Sequence, residues 1–94
     1  MSATMMQWAW RQALAPRERL VLLALADECG DDGLWLSNPA RLAAKAGADR
    51  LGLDEALGAL EAAGLAEAHR HSDRLSVRLL ADGGEVGGAG LGVS

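Results

Sequence analysis

Apolar positions recur at helical spacing in three stretches of the chain and alternate in a fourth. After Pro16, Leu20, Leu23, Ala24 and Asp27 follow the helical period, with Val21, Leu22 and Leu25 widening the stripe. Pro16 suits a first helical position, where its missing N–H would have no partner anyway. A helix is predicted over about 16–28, closed by the glycine-rich turn around Gly30 and Gly33. Leu34-Trp35-Leu36 is long enough for one short strand only. Ser37, Asn38 and Pro39 announce a second helix, with Leu42, Ala43 and Ala46 on its buried side and Gly47 at its end. A third opens at Asp49, with Leu53, Ala56, Leu57 and Leu60 at i, i+3, i+4 and i+7. Gly64 stops it. Leu75, Val77 and Leu79 then alternate with Ser76 and Arg78, as in a half-buried strand whose antiparallel partner is Leu65 to His69. Met6, Trp8 and Trp10 near the N-terminus fit either a short strand or a short helix.

The predicted architecture is mainly α with a small β-hairpin. Helix, strand, helix, turn, helix and hairpin is the order of a winged helix-turn-helix, three helices plus a wing, with an extra N-terminal element. Residues 1–80 would form that domain. The glycine-dominated residues 81–94 show no apolar period and read as a disordered tail.

Composition narrows the chemistry. The chain has 94 residues, one cysteine and no Phe or Tyr. Trp8, Trp10 and Trp35 are its whole aromatic content, so Trp35 and at least one of the other two are expected in the core. Cys29 alone excludes an internal disulfide framework. No signal peptide and no membrane-length apolar run is found, so a cytoplasmic location with no membrane contact is expected. His69 and His71 share a strand face without carboxylate or cysteine companions at ligand spacing, so no metal site is read there. Asp27, Glu28, Asp31 and Asp32 lack the alternation of a calcium loop. The glycines after Ala81 lack the lysine and helix of a phosphate loop. No catalytic constellation emerges, and the expected protein is a cofactor-free binding module, not an enzyme.

Leu42 to Asp49 carries the spacing of a helix-turn-helix: a small Ala43, Gly47 four positions on, and an apolar Leu53 six beyond. More widely, residues 8–65 resemble the winged-helix domains of phage and plasmid replication proteins and small phage regulators. The resemblance lies in Trp8-Ala9-Trp10, the run from Arg19 to Asp27, Asp31-Asp32-Gly33 before Trp35-Leu36-Ser37, and Leu60 to Leu65. It implies a regulator or replication-initiator module that binds double-stranded DNA, reads the major groove with its third helix and pairs as a homodimer.

Arg41, Lys45 and Arg50 would then line a phosphate-contacting edge, and Leu51 would offer a methyl contact. Arg70, His71 and Arg74, with His69 and Arg78, would make the wing the most basic local surface. The alternative for these cations is ordinary pairing with nearby acids. The chain departs from the family in its third helix, where Asp54, Glu55 and two glycines stand in place of basic and amide residues. The net charge of −4 likewise opposes a basic footprint. A second function therefore stands beside the first. The same scaffold would bind a host or phage protein through Asp31, Asp32, Asp54 and Glu55, as a phage-encoded inhibitor of a host nucleic-acid machine of the anti-CRISPR kind would.

Overall fold

The computed structural model describes residues 3–30 and 32–81. Four helices and three strands follow in the order α1 (Ala3–Trp10), α2 (Pro16–Glu28), β1 (Leu34–Ser37), α3 (Pro39–Ala46), α4 (Arg50–Ala62), β2 (Ala66–His71) and β3 (Arg74–Leu79). The fold is mainly helical with a small antiparallel sheet. The predicted first, second and third helices are α2, α3 and α4.

The ambiguous N-terminal segment is a helix. Met5, Trp8 and Ala9 are buried at i, i+3 and i+4, which a strand could not place on one face. Trp10 turns outward at 58 % exposure. The Arg19 guanidinium stacks 5.9 Å from its ring centroid and donates hydrogen bonds to the Trp10 and Gln12 carbonyls. Those contacts bind the α1–α2 connection to α2. Within α2 the buried stripe is Val21, Leu22, Ala24, Leu25 and Ala26. Leu20 is therefore a correction: it is 52 % exposed, because the face packed against α1, α3 and α4 is centred on the residues after it.

The ends of α3 and α4 follow their capping residues. Asn38 accepts a hydrogen bond from Ala40 N at 2.7 Å, and Asp49 accepts one from Gly52 N at 2.7 Å. Gly47 ends α3 in the left-handed region at φ 73°, where a Cβ would be strained.

The expected two-stranded hairpin proves to be part of a three-stranded sheet. β3 lies in the middle, with β1 on one side and β2 on the other, both antiparallel. Trp35 stands opposite Val77, and His71 opposite Arg74 beside the two-residue turn Ser72-Asp73. Gly33 brings β1 onto β3: its carbonyl accepts from Leu79 N at 2.8 Å, its φ is 80°, and a Cβ there would lie 3.0 Å from the Leu79 oxygen. Alternation puts Leu75, Val77 and Leu79 on the covered face, against the buried faces of the helices.

The core holds Trp8 and Trp35, the apolar stripes of all four helices, and buried Cys29. Ala81, the first residue of the predicted tail, packs against this core. The rest of the predicted tail, residues 82–94, lies outside the described residues. No helix among the described residues is long and apolar enough to cross a membrane.

Candidate functional site

The N-terminal half of α4 leaves charged and apolar side chains together uncovered. Its buried side is Leu53, Ala56, Leu57 and Leu60, so the helical period turns Arg50, Leu51, Asp54, Glu55 and Gly58 to solvent. Leu51 is the most exposed large apolar side chain described, at 67 %. Gly58 lies in open space, with nothing within 4 Å of where a Cβ would be.

Both acids on this face are met by arginines from other elements. Arg17 of α2 bonds Glu55 at 3.0 Å, and Arg70 of β2 bonds Asp54 at 3.1 Å. Arg17 crosses α4 at its one position without a side chain near the cap: a Cβ on Gly52 would lie 3.3 Å from Arg17 Nη1 and 3.0 Å from Asp49 Oδ1. Gly52 thus gives up helix propensity of about 1 kcal/mol for close passage of that guanidinium.

On the other flank, α4 and the hairpin enclose a narrow cleft lined by Pro39, Arg50, Asp54, Arg70, Ser72, Arg74 and Leu75. Arg50 and Arg74 form no ion pair among the described residues. The cleft lining therefore holds three arginines against Asp54, a local excess of cations in a chain of net charge −4, while Asp49, Glu55 and Asp73 lie just outside that lining.

The structure separates the other predicted cations from this group. Arg41 and Lys45 reach back to the end of α2, where Glu28 accepts from Arg41 at 3.2 Å and from Lys45 at 3.1 Å. Lys45 also pairs with Asp27. Glu28 further accepts the indole N–H of buried Trp35 at 3.0 Å. The indole first, then Arg41 and Lys45, hold the Glu28 carboxyl down to about 2, against the opposing effect of burial. Asp27 first, then Glu28, raise the Lys45 ammonium above its ordinary value. These cations clamp α3 to α2.

The acidic run is likewise used up in part. Asp27 and Glu28 belong to that clamp, and Asp32 accepts from Leu34 N at 3.0 Å to set the turn before β1. Asp31 lies outside the described residues. His71 sits at the end of β2 with Nε2 3.4 Å from Ser76 Oγ. Among the described residues no group of three or more His, Cys, Asp or Glu is placed to hold a metal ion.

Arg17 and Ser72 are the site residues that sequence reasoning missed. Arg17 meets Glu55 across 38 positions, and no local pattern signals so distant a pair. Ser72 has a local signal, as half of a two-residue turn between alternating strands. Comparison with protein-family models, curated proteins and solved structures finds no match to the chain.

Proposed function

We propose that the chain is a small winged-helix protein of phage or plasmid type that binds double-stranded DNA, as a transcription regulator or replication-initiator-like module. The order α2, β1, α3, α4, β2, β3 and the sheet order β1-β3-β2 support the winged-helix reading, with α1 as an additional element. α3 and α4 make the helix-turn-helix, and the β2–β3 turn is the wing.

One observation carries the function: Arg50, Arg70 and Arg74 converge between the start of α4 and the wing, with Arg50 and Arg74 in no ion pair among the described residues. A duplex with α4 in its major groove would bring a phosphate strand to that cleft. α4 has 13 residues and is about 20 Å long, and beyond Leu51, Asp54 and Glu55 the same face carries only the small Gly58 and Ala62. A single module with so few free cations is weak on its own. Pairing as a dimer on two half-sites multiplies its affinity.

Titration with duplex DNA at several salt concentrations tests this reading. The expected log–log slope is about −2 to −4, because each neutralised phosphate contributes roughly −0.9. Arg74→Ala should lower that slope and weaken all sequences alike.

A second reading is favoured by Leu51. It is an exposed apolar centre between two exposed acid–arginine pairs, which is the layout of a small protein interface with a polar rim. On that reading the same face binds a host or phage protein, as an inhibitor of a nucleic-acid machine would. Replacing Asp54 and Glu55 with lysine separates the two. If the wild type ignores DNA at low salt while the double-lysine variant binds it, the face is a protein-binding one.

A further inference from the structure

We infer that Asp54 is a specificity-determining residue, which accepts a hydrogen bond from the exocyclic amino group of a cytosine while Arg70 balances its charge. The inference rests on the DNA-binding reading and names the base chemistry of that same surface.

A carboxylate on a groove-facing helix is repelled by phosphates unless cations offset it. Asp54 has that offset, with Arg70 Nη2 3.1 Å from its Oδ1 and Arg50 and Arg74 lining the same cleft. Glu55 is on the opposite flank and has Arg17 alone. Of the two acids, Asp54 is the one able to approach bases without a net negative field around it.

The Arg70 bond engages one carboxylate oxygen. Oδ2 has no hydrogen-bond partner among the described residues. An ionised carboxylate only accepts, and the major groove offers it two donors, the amino groups of cytosine and adenine. Adenine places its N7 acceptor beside that amino group, against the second oxygen of the carboxylate. Cytosine presents no acceptor there. Cytosine is therefore the better match.

Arg50 lies one turn earlier on the same side of α4, with its guanidinium in no ion pair among the described residues and suited to the O6 and N7 of a guanine. The two α-carbons are separated by a rise of about 6 Å, which corresponds to roughly two base-pair steps. The preferred half-site should then hold a guanine and a cytosine about two base-pair steps apart, with one base pair between them.

The test is selection from a library of short duplexes with a randomised core, using the full chain, followed by titration of the selected duplex. The wild type should enrich such a G and C. Changing the C·G pair to T·A puts an acceptor in place of the amino donor and should weaken binding about tenfold. Asp54→Ala should bind both duplexes equally while keeping the guanine preference. Asp54→Asn should move the preference towards adenine, a gain that lost folding cannot mimic.

Wild-type binding without base preference, or full cytosine preference in Asp54→Ala, overturns the inference and leaves the DNA-binding reading standing. Absence of duplex binding by the wild type at low salt overturns both.

Discussion

Removing the Glu28 carboxylate should destabilise the fold through one buried hydrogen bond more than through its two ion pairs. Trp35 is 3 % exposed, and its indole N–H donates to Glu28 at 3.0 Å. In Glu28→Ala that donor loses its acceptor inside the protein, which costs about 1–3 kcal/mol. The Arg41 pair contributes little, since the Arg41 side chain is 65 % exposed and such surface pairs are worth roughly 0–1 kcal/mol. Lys45 keeps Asp27 as a partner. Removing a negative charge from the last residue of α2 returns about 0.3–1 kcal/mol, because the helix C-terminus disfavours anions.

The expected net loss in Glu28→Ala is therefore about 1–3 kcal/mol, or a fall of roughly 5–15 °C in melting temperature for a domain of this size. Glu28→Gln keeps a carbonyl acceptor for the indole and loses only the charge, so its change should stay within about 1 kcal/mol. Urea unfolding followed by tryptophan fluorescence measures both variants. Equal stability of the two variants would refute the reasoning, since it would show that the indole bond contributes nothing.

Glu28 also sets an acid limb. Its carboxyl is depressed from 4.5 to about 2 in the folded protein, so its stabilisation is present above pH 4.5 and is lost as pH falls towards 2. Solvent around Arg41 screens most of the effect, and up to about 1 kcal/mol should separate the pH profiles of wild type and Glu28→Gln in that window. Gly58→Ala should stabilise the fold by about 0.5–1 kcal/mol in thermal melts, because Gly58 is mid-helix with open space around it; if DNA approaches that backbone, affinity should fall in the same variant. Ser72 holds φ at 52° in the hairpin turn, so Ser72→Gly should raise the melting temperature, and a lowered one would show that the side chain stabilises the turn.

Most of the fold was legible because it is written locally. Pro16, Asn38-Pro39 and Asp49 mark helix starts, Gly47 marks an end, and the alternation of Leu75, Val77 and Leu79 gives the inner face of β3. Where local signals ran out, tertiary contacts decided. Alternation of Met6, Trp8 and Trp10 left α1 undecided, and packing against α2 makes it a helix. β1 looked isolated because its pairing with β3 spans some forty residues.

The site was legible in its members but not in its balance. Asp54 and Glu55 made α4 read as acidic, since their compensating Arg70 and Arg17 come from β2 and α2. For Arg41 and Lys45 the sequence left a phosphate-contacting edge and pairing with nearby acids both open, because the Asp27 and Glu28 carboxylates that hold them are on α2.

Mapping backbone amide shifts by NMR during titration with duplex DNA at low salt tests the central claim most directly. Shifts confined to the start of α4 and the hairpin turn, at Arg50, Leu51, Asp54, Ser72 and Arg74, are the result this account requires. No shifts at all, or shifts gathered around Trp10 and Leu20 on the α1–α2 side, would contradict it.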